Sequence, residues 1–180
     1  MSFSAEAVHR TDLTPVDRAD AIDTARFGIP HPHPFLAQLT ITSAHLSRVI
    51  PHVWNIEYVR WIDRVAELHS DSAGYPHETL IEQNRIWFVA RHEIDYEAEV
   101  WKDDELIIAT WVRDFKRIRA WRETAIIRPA DETVVCRAAT LWVFVDLTER
   151  KPARIPEEMI RAFRPLNSEE TAHARGHDHR

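Results

Sequence analysis

His52-Val53-Trp54-Asn55-Ile56-Glu57-Tyr58-Val59-Arg60-Trp61 opens an apolar-periodic stretch that runs to about Ser70. Ile56, Val59, Ile62, Val65, Ala66 and Leu68 form one broad apolar face, with Arg60, Asp63, Arg64 and Glu67 largely opposite. That spacing predicts one long helix over residues 54–72. Gly74 and Pro76 are placed to end it, because Gly accepts the left-handed turn after a helix and Pro cannot continue one. The first amides of such a helix have no partner within it and carry partial positive charge. A His and an Asn at this mouth therefore stand where a developing oxyanion can be held.

On either side of this helix the pattern changes to strands. Leu36 to His45 alternates Leu39 and Ile41 with Thr40 and Thr42, and a turn with Pro51 follows. Arg85 to Tyr96 places Ile86, Phe88, Ala90, His92, Ile94 and Tyr96 on one face. Glu105 to Phe115, Ile118 to Arg128 and Thr133 to Asp146 come next, the last richest in β-branched and aromatic residues. A short helix is expected over residues 156–163. One strand, one long helix and an antiparallel meander predict an α+β domain, with a curved sheet covering a central helix. The domain is expected over residues 35–165. Residues 1–34, polar and then punctuated by Pro30, Pro32 and Pro34, read as an extended N-terminal arm, and residues 166–180 as a polar tail.

Composition excludes several chemistries. At 180 residues the chain suits one domain with a sizeable core. A net charge of −6 gives no broad footprint for nucleic acid. No apolar run has the length of a membrane span, and Met1 to Arg10 lacks the apolar centre of a secretory signal. The expected location is cytoplasmic. Cys136 is the only cysteine, so no disulfide forms within the chain. Gly28, Gly74 and Gly176 are the only glycines and do not cluster, which excludes a phosphate-cradling glycine loop or a G-x-S-x-G elbow. Any phosphate must be held by side chains or a helix end.

Several side chains have chemical uses. His52 is of the residue type that most often serves in proton transfer. Asn55 can cap the helix or hold a water. Glu57 in the first turn is either a base or a carboxylate favoured by the helix dipole. Arg113, Lys116, Arg117, Arg119 and Arg122 form a basic cluster fit for phosphate, and alternation puts Arg113, Arg117 and Arg119 on one face. Its other reading is a solvated strand end paired with Asp114 or Glu123. His31-Pro32-His33 and His177-Asp178-His179 lack a closed four-ligand set and read as solvated residues, so no metal is expected. Cys136, between Val135 and Arg137 in a strand, reads as a small core residue.

These residues resemble the hotdog-fold acyl thioesterases of the 4-hydroxybenzoyl-CoA and acyl-ACP thioesterase group. His52-Val53-Trp54-Asn55, with Tyr58 and Trp61, is similar to the family's H-V-N-N-x-x-Y-x-x-W/F segment. Glu93-Ile94-Asp95-Tyr96 and Asp103-Asp104-Glu105-Leu106 are similar to its I-x-Y strand end and G-D-E-L turn. Phe115-Lys116-Arg117-Ile118-Arg119 stands where it often has L-G-R/K-S-S. Trp142-Val143-Phe144-Val145-Asp146-Leu147 and Ile155-Pro156-Glu157-Glu158 resemble its V-F-V-D strand and I-P-E-E turn.

The resemblance implies a hotdog fold and a homodimer or tetramer, with sites where one chain's helix mouth faces its partner's strands. It implies hydrolysis of an acyl-CoA or acyl-carrier-protein thioester, with coenzyme A as part of the substrate and no other cofactor. His52, Asn55 and Glu57 become the catalytic candidates, and Arg48, Tyr58, Arg117 and Arg119 the substrate-binding ones. One departure is plain: the family's carboxylate, four residues before the His, is Arg48 here. Arg48 stays protonated and cannot be a base, but it can bind a carboxylate or phosphate. Two alternatives follow: a non-catalytic acyl-CoA or lipid-binding hotdog protein, and a hotdog hydratase or dehydratase.

Overall fold

The computed structural model describes residues 13–16 and 22–166. The long helix, α1, runs Asn55–Ser72, roughly 27 Å at the usual rise per residue. Its inner face buries Tyr58, Trp61, Ile62, Val65 and Ala66. Ile62, Val65 and Ala66 lie on the expected face, whereas Ile56, expected there too, is 41% exposed and Tyr58 and Trp61 take the buried positions instead. Trp54 is the N-cap and no side chain caps the helix. Asn55 is thus the first helical residue and not the cap. At the far end Ser70 Oγ donates to the Tyr75 carbonyl at 2.8 Å, and Gly74 takes the left-handed φ of 86° that ends the helix. A second helix, α2 (His77–Glu82), follows; six residues are too few to display a helical period.

The strands are β1 (Thr14–Pro15), β2 (Phe35–Thr40), β3 (Arg85–Tyr96), β4 (Glu105–Lys116), β5 (Arg119–Arg128), β6 (Thr133–Asp146) and β7 (Lys151–Pro152), and α3 (Glu157–Phe163) closes the domain. All pairings are antiparallel, in the order β1-β2-β4-β5-β6-β3 with β7 on β6. The sheet curls around α1. This is the hotdog arrangement. The first expected strand ends at Thr40, five residues early. Ser43–His45 is a single 3-10 turn instead, in which His45 Nδ1 accepts the Thr42 amide at 3.0 Å.

Three bulges interrupt the sheet, at Ala90 in β3, Arg113 in β4 and Val135 in β6, and the first two correct the expected alternation. In β3 the register passes from Val89↔Trp142 to Arg91↔Leu141, leaving Ala90 unpaired. Trp87 faces the core before the bulge, 4.8 Å from Phe144 between ring centroids. Ile94 packs against the core after it, while Phe88, on the other face, is 51% exposed. In β4 the register passes from Val112↔Arg122 to Asp114↔Trp121, leaving Arg113 unpaired. Arg113 therefore loses its shared parity with Arg117 and Arg119, and its Nη1 pairs with Glu123 at 2.7 Å.

The sheet is apolar on both sides. Its concave face packs Leu106, Ile108, Ile126 and Cys136 against Tyr58, Trp61 and Val65. Further along, Val112, Ala120, Trp142 and Phe144 meet Ala66 and Phe163. Its convex face carries Ala109, Trp111, Ala125 and Ile127, covered by Phe27, Ile29 and Leu166. Part of the expected arm thus lies against the domain, tied by the Val16 amide to the Leu36 carbonyl at 3.0 Å and by Arg137 Nη2 to the Phe27 carbonyl at 2.9 Å. His31 is buried, not solvated. Its Nε2 donates to the Arg164 carbonyl at 2.8 Å, and its Nδ1 accepts the His33 amide at 3.0 Å. The tail beyond Leu166, with His177-Asp178-His179, lies outside the described residues. Cys136 is fully buried, and burial pushes its thiol pKa up to about 12, as a core residue requires.

Candidate functional site at the mouth of α1

The chain enters α1 through a loop held on both sides. The Ser47 amide donates to the His52 carbonyl at 2.9 Å and the Trp54 amide to the His45 carbonyl at 3.0 Å. The Val53 amide donates across to the Val100 carbonyl at 2.9 Å. That last bond brings the 97–100 loop to the helix mouth. Arg128 steadies the same loop: its Nη1 donates to the Glu99 carbonyl at 2.8 Å and to Asp104 Oδ2 at 3.0 Å, and its Nη2 to Asp131 Oδ2 at 2.8 Å.

The result is an open cleft of about 300 Å3 lined by His52, Asn55, Tyr58, Tyr96, Glu97 and Glu99, among others. His52 is half-buried, its ring edge-on to Trp101. Its Nδ1 lies 2.7 Å from the Val53 carbonyl oxygen. A carbonyl only accepts, so Nδ1 carries the proton and Nε2 keeps its lone pair in the neutral ring. Asn55 is exposed at the start of the helix. The amides of Asn55 and Ile56 make no hydrogen bond among the described residues, whereas Glu57 N–H donates to the Trp54 carbonyl at 2.9 Å. These free donors sit at the positive end of α1. Tyr58 forms the cleft floor, with its ring 5.1 Å from Tyr96 and 5.1 Å from Trp61. Burial, reinforced by Cys136 and Tyr96, pushes its phenol well above the usual range. It stays protonated and lines the cleft without titrating.

The structure brings His52, Asn55 and Tyr58 together. It does not bring the other sequence candidates to them within one chain. Glu57 is buried and ion-paired to Arg60. Arg48 is exposed on the preceding loop, with no ion pair among the described residues. Arg117 and Arg119 lie in the β4–β5 hairpin, where the Arg117 carbonyl accepts the Ile155 amide at 2.9 Å. That hairpin is at the other end of the sheet, beside α3. Arg122, from the same basic cluster, is buried on the concave face.

Glu97 and Glu99 are cleft residues that the sequence alone did not single out. Glu97 pairs with Arg137 Nε at 3.3 Å. The Glu99 carboxylate has no partner among the described residues. Nothing in their local pattern links them to a helix more than forty positions earlier, since the link is a backbone hydrogen bond.

Comparisons with known proteins agree with this architecture. The chain is 28% identical over 116 residues to the acyl-CoA thioesterase YbgC of Haemophilus influenzae, covering 63% of this chain and 83% of that protein. A 1,4-dihydroxy-2-naphthoyl-CoA thioesterase from Synechocystis superposes with a TM-score of 0.68 at 18% identity, covering 76% of this chain and 99% of the other. A Staphylococcus aureus protein solved in complex with CoA superposes with a TM-score of 0.68 at 15% identity, covering 72% and 81%. These solved structures share the hotdog fold. Residues 48–163, from the loop of Arg48 to the end of α3, match the model of the thioesterase-like superfamily. That match spans the helix mouth, the cleft and the whole meander, and the chain belongs to this superfamily.

Proposed function

We propose that the protein hydrolyses an acyl thioester, of coenzyme A or of an acyl-carrier protein, at the mouth of α1. The observation that carries this reading is the His52 Nδ1 contact with the Val53 carbonyl at 2.7 Å, beside a helix start that no side chain caps. The amides of Asn55 and Ile56 donate to the thioester carbonyl oxygen and stabilise it as charge develops. The Asn55 side chain orients a water. His52 Nε2 takes a proton from that water as oxygen attacks the carbonyl carbon. The C–S bond breaks, the proton passes to sulfur, and a carboxylic acid and a free thiol leave. Glu99 supplies in the cleft the carboxylate that Arg48 cannot. The reading calls on no metal or organic cofactor beyond the coenzyme A of the substrate. The relatives named above, acyl-CoA thioesterases among them, support it.

A homodimer belongs to this proposal. Trp54 (54% exposed), Phe88 (51%) and Trp101 (41%) are large apolar side chains left open around the cleft and along β3, and β3 is an edge strand. Such surface favours a covering partner. No helix among the described residues is long and apolar enough to cross a membrane, and the proposed location is cytoplasmic.

One observation favours a second reading, acyl-CoA binding without turnover: an arginine, Arg48, stands on the loop where the family carries its acid. Thiol release from short, long and aromatic acyl-CoAs, by wild type, His52→Ala and Asn55→Ala, separates the two. Turnover that collapses in both variants supports hydrolysis. Binding without thiol release from any substrate supports the second reading.

A further inference from the structure

Between the second half of α1 and the sheet lies another cavity, lined by Ala66, Val112, Phe115 and Phe163 together with Arg122 and Trp142. Its walls are apolar, yet two polar groups in them are under-used. Arg122 is 6% exposed. Its Nη1 donates to His69 Nδ1 at 2.8 Å and reaches Thr110 Oγ1 at 3.4 Å. Its remaining guanidinium donors have no protein acceptor among the described residues, and no carboxylate pairs with it there. The Trp142 indole Nε1 is buried without a hydrogen-bond partner.

The neighbours do not neutralise this charge. His69 is held neutral: burial, then the nearby Arg122, keep its pKa well below the usual value. Glu67 also lines the cavity, but it is engaged by Arg64 at 2.7 Å and by His77 at 3.6 Å. Burial pushes the Arg122 pKa down to about 9, which still leaves a cation at neutral pH. A buried cation without a counter-charge and a buried donor without an acceptor are both costly. A carboxylate at the guanidinium answers the first of these. At about 40 Å3 the cavity is narrow, which suits a slim chain end and not a nucleotide.

We propose that this cavity binds the carboxylate of an apolar organic acid, with the Arg122 guanidinium as its donor and the Trp142 ring as part of its wall. The acid is either free, like the product of thioester hydrolysis, or the distal carboxyl of an acyl group still joined to its thiol. The site is separate from the α1 mouth, because Trp61, Ile62 and Val65 fill the core between them with no exposure.

Titration calorimetry on the full chain tests this. Octanoate is compared with octanol, and the coenzyme A monothioester of suberic acid with octanoyl-CoA. At least one carboxylate ligand is expected to bind ten-fold or more tightly than its uncharged match, about 1.4 kcal/mol. Arg122→Met is expected to abolish that preference with octanol affinity unchanged, and Arg122→Gln to weaken carboxylate binding several-fold. A preference for octanoate assigns the free acid; a preference for the suberic thioester alone assigns the acyl group. Equal affinity for the charged and uncharged members of both pairs overturns the proposal. So does undiminished carboxylate affinity in Arg122→Met, or in Arg122→Gln should the first variant not fold. Calorimetry needs no turnover, so failure here and failure of hydrolysis at the α1 mouth are distinguishable.

Discussion

The Val53 amide donates to the Val100 carbonyl at 2.9 Å, and this one bond joins the start of α1 to the loop that carries Glu97 and Glu99. A cleft with a histidine, an asparagine and carboxylates results from two segments far apart in the chain. The free amides of α1 and the ionisable side chains then share one cavity, which is the arrangement the proposed thioester hydrolysis demands.

The proposed role of His52 as proton acceptor has a direct consequence. His52→Ala is expected to lower thiol release by about 10²–10³, with the circular dichroism spectrum unchanged. The ring contacts solvent on one side and Trp101 on the other, so its loss leaves the fold standing. Retention of more than a tenth of the activity would place the base elsewhere.

Glu97 and Glu99 differ in their engagement. Glu97 is paired with Arg137, whereas Glu99 is unpaired among the described residues. Glu99→Gln is expected to reduce kcat by about 10², and Glu97→Gln to change it less than three-fold. Steady-state rates on an acyl-CoA check both, and the reverse ranking would sink the assignment.

A covering partner over β3 predicts that Phe88→Arg yields a monomer. Size-exclusion chromatography with light scattering reads the change, and thiol release should fall with it. A wild type that is already monomeric at micromolar concentration would refute the dimeric site.

The arm tests differently. Phe27 is 7% exposed and covers the convex face of the sheet. Phe27→Ala is expected to cost about 3 kcal/mol of stability, read by chemical denaturation. A change under 0.5 kcal/mol, the range of plain surface substitutions, would show that the arm contributes nothing to the core.

His69 gives the pH dependence. Its folded-state pKa lies well below the usual 6.5, so the unfolded chain binds a proton there that the native chain refuses. Stability from this group is complete above the unfolded pKa and is lost as pH falls below it. The slope is at most about 1.4 kcal/mol per pH unit. Denaturation midpoints between pH 7.5 and 5.5 should fall less steeply in His69→Gln than in wild type. Parallel profiles would contradict the assignment.

The sequence by itself determined α1 nearly to the residue and the strands β3 and β6 to the residue. Helical and strand periods are written in neighbouring side chains, and both elements are long enough to show them. The order of the elements and five short motifs likewise identified the fold. The tertiary structure alone decided the strand order, the bulges at Ala90 and Arg113, and the burial of Phe27, His31 and Arg122. Each of these depends on which distant strand supplies the opposite register or the covering surface. The site divides in the same way. His52, Asn55 and Tyr58 were legible because a helix start concentrates them within seven positions. Glu97 and Glu99 were not, because a single backbone hydrogen bond between Val53 and Val100 sets them beside the helix, and no local pattern of side chains encodes that contact.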